Sequence, residues 1–220
     1  MTAGRDDASD AAATDLPPSD AVLFQLALRG VVRIRDLAAA TGTADDDVAA
    51  TIAVLEERGL VLRRPRGGDD HVSATPLGRE RAAAVIASEQ QALRAVVAAL
   101  DAEFAGLNRS VKQILLRWQV RSDRPTEMPN DHSDARYDRR VLAQLRDVHG
   151  AADGLLARLE PLRARYASLR HRLGDALARA GAGDVRAVAG VTGDSFHTAW
   201  WELHADLLAI LGRARGEADA

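Results

Sequence analysis

Cysteine is missing from all 220 residues, so neither disulfides nor thiolate metal sites can form. That suits the cytoplasm, which we take as the expected compartment. Lysine is nearly missing too: Lys112 is the only one, and arginine supplies the other basic side chains. With the abundant alanine, this bias reads as the mark of a GC-rich genome rather than of function. Aromatic residues make up only 4% of the chain, so the places where they gather carry information. No apolar run approaches the roughly 20 residues that a bilayer-spanning helix needs, and no membrane contact is expected. The first residues are acidic and Ala-rich, unlike the basic and then hydrophobic start of a signal peptide. An excess of one charge is also lacking. The formal net charge of −3 gives no global attraction to nucleic acid, so any DNA binding must come from a local patch. There is no Gly-rich phosphate loop, no Gly-x-Ser-x-Gly elbow and no Ser/His/Asp set in a supporting context. The chain does not read as an enzyme, and no cofactor is expected.

What is present is enough apolar sequence for one large or two small domains. Residues 1–18, MTAGRDDASDAAATDLPP, hold almost no bulky apolar side chain and read as a disordered acidic tail. Residues 19–87 then carry signals for three helices and a hairpin. Ser19 or Asp20 can cap a first helix through Val22, Leu23 and Leu26 that Gly30 ends. Val31 and Val32 suit a short strand, and Arg35 to Thr41 a short helix closed by Gly42. Thr43 can cap a third helix with Asp45, Asp46 and Asp47 on its first turn and Val48, Ile52 and Leu55 at helical spacing. Leu60 to Arg66 and Val72 to Thr75 flank Gly67-Gly68-Asp69-Asp70, a hairpin signal with a Gly-Gly turn, and Thr75-Pro76 starts a new helix. Residues 88–216 read as a helical bundle: an Ala-rich helix to about Leu107, an amphipathic segment from Arg109 to Arg121 and a polar loop from Ser122 to Ser133 follow. A helical run from Asp134 is then interrupted at Pro161, the next helix stops at Gly181, and a last helix covers Ser195 to Arg213. The expected fold class is mainly α, with a small β-hairpin.

VAATIAVLEERGLVLRRP, followed by SATPLGRE, resembles the MarR-type winged-helix regulators. In that family a recognition helix ends in a Leu-Glu-x-x-Gly-Leu-Val turn, and Thr-x-x-Gly opens the helix after the wing. The likeness covers about residues 20 to 82 and fades beyond 88, where the chain looks more like unassigned helical domains of small actinobacterial winged-helix proteins. It implies a winged helix-turn-helix fold, a homodimer formed through terminal helices, a palindromic DNA site and often a small effector. A transcriptional regulator is therefore the expected function, with a protein-interaction adaptor that does not read DNA as the alternative, because winged helices serve both ends.

The charge on this copy departs from that family pattern. From Ala44 to Glu57 there is no Arg, Lys, Gln or Asn, the residue types that read guanine and adenine edges. Arg58, Arg63, Arg64 and Arg66 form a basic strip on the wing side, with Arg33 and Arg35 as helpers. DNA contact, if made, is expected mainly through phosphates and with poor sequence specificity.

In the second half, Trp118, His132, His197, Trp201 and His204 gather in three short stretches. His197, Trp201, His204 and Leu208 share one face of the last helix, with Glu202 and Asp206 on a neighbouring face. Three readings stand side by side. These residues line a pocket for a small effector, they hold a divalent metal, or the aromatics are core and Asn130 and Asp134 are caps. The i, i+7 histidine spacing is not the i, i+4 spacing of a zinc-binding helix. Wide apolar helix faces also suggest a homodimer.

Overall fold

The computed structural model describes residues 15–121, 123, 126–190 and 193–213, and the side chain of Arg66 lies outside that description. Most of the expected acidic tail, residues 1–14, lies outside it too. Residues 15 to 18 do not belong to a tail: the Asp15 carboxylate accepts the Ala164 N–H at 3.1 Å, Leu16 packs on the larger core, and Pro18 opens a helix.

Local signals set the first half. Helix α1 (Pro18–Arg29) leads into strand β1 (Val31–Arg33), helix α2 (Ile34–Thr41) and helix α3 (Asp45–Glu57). Pro18 stands in the first turn of α1, where a missing N–H costs nothing. Thr43 does not cap α3: the N-cap is Ala44, which makes no side-chain cap. The Thr43 hydroxyl lies 2.7 Å from that of Thr41 instead. Strands β2 (Val61–Arg66) and β3 (Asp69–Ala74) close the hairpin. Its two turn residues, Gly67 and Gly68, have φ of 63° and 84°, the left-handed pair that a tight primed turn demands. The sheet is antiparallel in the order β1-β3-β2.

Helix α4 (Pro76–Gln119) follows, capped by the Thr75 hydroxyl, which accepts the Gly78 N–H at 3.1 Å. Gly78 is required here for closeness: a Cβ would sit 1.9 Å from the Leu60 carbonyl oxygen. Its 44 residues run as one helix, about 66 Å long, with no break near Arg109. Leu93, Val97, Leu100, Phe104, Val111, Ile114 and Trp118 are buried in one register, and no proline interrupts them. What looked like two amphipathic segments is one.

Strand β4 (Val120–Arg121), directly after α4, pairs antiparallel with β5 (Met128–Pro129) in the polar loop. Helices α5 (Ala135–Leu159) and α6 (Ala164–Gly181) flank the break at Pro161, and a four-residue helix α7 (Arg186–Ala189) precedes α8 (Phe196–Leu211). Asp134 caps α5, and Ser195 and Thr198 form a capping box on α8. Among the described residues no helix is long and apolar enough to cross a membrane.

Two cores result. The smaller gathers Val22, Leu23 and Leu26 of α1 with Leu37, Val48, Ile52, Leu55, Val61, Val72 and Ala82. The larger takes Phe24 from the same α1 and continues from Val85 through α5, α6 and α8. The boundary between the cores therefore falls inside α4, between Ala82 and Val85, and α1 serves both.

Candidate functional site

Of the six arginines expected to hold DNA, the five whose side chains are described do not form one surface. Successive residues of a strand point to opposite faces, so Arg63 and Arg64 part company. Arg63 turns with buried Val61 towards α3, where it meets Glu56 at 3.1 Å and, across the hairpin, Asp70 at 3.4 Å. Its hydrogen bond to Glu56, opposed by burial, raises its pKa above the usual arginine value. Arg33 binds Asp36 at 2.8 Å and Arg35 binds Asp69 at 2.8 Å. Both also line a cleft of about 660 Å³ between the sheet and the bundle, opposite Arg172, Asp194 and Glu202. Arg58 and Arg64 stand exposed, without a described ion pair, and Arg66 has no described side chain. The outward face of α3 offers Asp45, Asp46, Asp47, Ala49, Ala50, Ala53, Val54 and Glu57, all exposed. None of these side chains carries a hydrogen-bond donor when its carboxylates are ionised.

The five residues grouped as an effector pocket are likewise divided. Trp118 and His132 meet at 4.6 Å between ring centroids, in the corner where α4 hands over to α5. The Trp118 indole N–H donates to the Val185 carbonyl at 3.3 Å. His132 Nδ1 lies 3.0 Å from Asp138, whose other oxygen accepts the Asn130 amide at 2.9 Å. His132 is the only described non-glycine residue with positive φ, 59°. Its Asp138 bond and its packing on Trp118 hold that conformation. Next to it, Arg121 bridges Asp123 and Asp134 at 2.8 and 3.1 Å and lies over the Tyr137 ring. The corner is closed on itself and holds two chain segments together.

His204 lies elsewhere, buried on α8 with its ring 5.5 Å from that of Phe104. It lines a second cavity, about 510 Å³, between α4 and α8. His197 and Trp201 are half-buried on α8 and line neither cavity. The tryptophan at the centre of the bundle is Trp200, stacked on Phe104 at 5.4 Å and Phe196 at 6.0 Å. Its N–H donates to Asn108 at 3.0 Å. For Trp118 and Trp200 the core reading holds, with each indole N–H satisfied.

Sequence reasoning missed the buried charges. Glu89 and Asp206 are each 1% exposed. Arg163 grips Glu89 at 2.7 Å, and Arg165 spans both acids, 2.6 Å to Glu89 and 2.5 Å to Asp206. The Tyr166 hydroxyl donates to Asp206 at 3.0 Å, and the Arg165 guanidinium lies over the Phe24 ring at 4.5 Å. Burial disfavours the Arg165 charge, but Asp206 and Glu89 outweigh it and its pKa is raised. Burial first, and Asp206 second, push the Tyr166 phenol well above its ordinary value. A second group links Arg172 to Glu202 at 2.6 Å and to Asp194 at 2.8 Å, with Arg29 3.2 Å from Glu202. Glu202 and Asp206, the acid pair noted on α8, are thus each neutralised by arginine. Among the described residues no group of three or more His, Asp or Glu side chains is placed to hold a metal ion. The only sequence signal for these charges was the acidic i, i+4 pair itself.

No family model, curated protein or solved structure matches the chain.

Proposed function

We propose that the chain is a protein-interaction adaptor built on a winged helix-turn-helix of MarR-like type, whose α3 does not read DNA. The order α1-β1-α2-α3-β2-β3 with the β1-β3-β2 sheet supports the winged-helix reading. The observation that carries the adaptor reading is the outward face of α3, which offers carboxylates and methyl groups where base readout needs Arg, Asn or Gln. Such a face suits a cationic protein partner and repels phosphate. The bundle serves to dimerise the chain in the cytoplasm.

A DNA-binding regulator is the second reading, favoured by Arg58 and Arg64, which face solvent without a described carboxylate. Surface ion pairs such as Arg35–Asp69 are worth only about 0–1 kcal/mol and can be traded for phosphates at low salt. The test is selection of bound fragments from random duplex DNA at physiological salt. We expect no enriched motif, and an enriched palindrome would establish the regulator instead. At low salt we expect a weak mobility shift whose log–log salt slope is about −2, as for two phosphate contacts. Changing Arg58 and Arg64 to Ala should abolish it, while changing Asp45, Asp46 and Asp47 to Asn should strengthen it on unrelated sequences alike.

A further inference from the structure

Arginines such as Arg35, Arg121 and Arg165 meet carboxylates of their own chain. Those at the start of α5 do not. Arg136, Arg139 and Arg140 are exposed and have no carboxylate partner among the described residues. The two acids beside them in sequence are already engaged, Asp134 by Arg121 and buried Asp138 by His132 and Asn130.

The fold gains nothing from this arrangement. The first turn of a helix favours anions, so cations there oppose the dipole. Arg136 also stands three and four residues from Arg139 and Arg140, spacings at which like charges repel. Arg146, further along α5, lies beside Gly181 at the end of α6, where a helix terminus favours a cation. The other three are set against both rules, and carboxylates from another molecule would relieve them.

The chain carries a matching set. Asp45, Asp46 and Asp47 are exposed on the first turn of α3 and have no cationic partner among the described residues. The match extends along both helices. Arg136, Arg146 and Asp147 follow one another at steps of ten and one, and Asp47, Glu57 and Arg58 repeat those steps with every sign reversed. All six are exposed, and each set spans about 16 Å of helix.

The two faces cannot meet within one copy. The Tyr137 hydroxyl donates to the Arg117 carbonyl at 2.8 Å, so α5 begins beside the far tip of α4. Helix α3 instead leads to Gly59, whose carbonyl accepts the Thr75 hydroxyl at the root of α4. Root and tip are about 60 Å apart, and α3 itself is only about 20 Å long.

We propose that copies of the chain bind one another through these faces, the start of α5 in one copy on the outward face of α3 in another. The inference rests on the adaptor reading and names the cationic partner that α3 takes. Two copies placed antiparallel make the contact twice and close a symmetric pair, while any other placement continues into a ring or filament.

Sedimentation velocity of the full chain over rising concentration measures this association. Raising the salt to about 1 M, where the Debye length is about 3 Å, should weaken it at least about tenfold. At low salt, Arg136→Glu/Arg139→Glu/Arg140→Glu should lose at least about tenfold in affinity, and so should Asp45→Arg/Asp46→Arg/Asp47→Arg. Mixed one to one, the two variants should associate again, because each offers the charge that the other lost. Circular dichroism establishes that both are folded. A chain that stays monomeric at low salt, association of equal strength at both salts or in the folded α5 variant, or a mixture that fails to associate would each overturn the proposal. The adaptor reading would survive those results, since it falls on an enriched DNA motif. A low-salt duplex shift lost in the α5 variant of a chain that does not self-associate would give this face to phosphates instead.

Discussion

The two cores of this protein are built on different principles. The smaller one is hydrocarbon throughout: Val22, Leu26, Leu37, Ile52, Leu55 and Val72 meet without an ionised side chain among them. The larger one wraps its apolar layers around Glu89, Arg163, Arg165, Asp206, Arg172 and Glu202, all buried. A hydrocarbon core tolerates repacking and specifies its neighbours only loosely. A buried ionic set adds little net stability, yet it penalises any arrangement that strands one of its charges. Glu89 lies on α4, Arg163 at the entry to α6, Arg165 on α6 and Asp206 on α8. The set therefore fixes how three helices meet.

The largest break in this comparison should come from Asp206→Ala. It leaves Arg165 half-compensated in a site from which water is excluded, and unfolding in urea should show a loss of about 3–5 kcal/mol. A loss below about 1 kcal/mol would mean that the ionic set is not what holds the helices. A smaller effect should follow from His149. Burial holds its pKa below the ordinary 6.5, against the pull of Asp153, and its buried Nε2 has no hydrogen-bond partner. The unfolded chain thus binds the proton more readily than the folded one. Stability is fully present above pH 6.5 and declines as pH falls towards the lowered folded value. Melting temperatures from pH 7.5 to 5.5 should fall in the native protein and fall less in His149→Phe, whose ring can take over the edge contact with Phe196. The smallest effect belongs to the other region. Arg63→Ala removes a part-exposed link to Glu56 and Asp70 and should change stability by less than about 1 kcal/mol. A loss comparable to that of Asp206→Ala would erase the distinction between the two regions.

The same distinction explains what could be read from the sequence. Local punctuation was legible wherever backbone chemistry forces it: Gly67-Gly68 at the hairpin tip, Thr75-Pro76 at the start of α4, Pro161 between α5 and α6, and Ser195 before α8. Faces were less legible. Arg63 and Arg64 are neighbours in sequence, yet the strand sends them to opposite sides, and Arg33 and Arg35 are held by Asp36 and Asp69. The continuity of α4 past Arg109 was hidden because a change in polarity looks like a boundary when the partner helices are unknown. Buried arginines were hidden most deeply. Arg163, Arg165 and Arg172 belong to a residue type that is seldom buried, and only the distant Glu89, Asp206 and Glu202 make their burial tolerable. Trp118, His132 and His204 share a composition but not a place, since the α4–α5 corner and the middle of α8 are separate parts of the bundle.

A spar that runs through both compartments leaves no joint at which to separate them. Cutting after residue 87 would strip the outer side of Phe24 and Val85 bare, so we do not expect the first 87 residues to behave as a free-standing piece. The same stiffness makes α4 a lever. A tilt of about 5° at Gly78 carries the far tip, at Gln119, about 62 Å away, through about 5 Å.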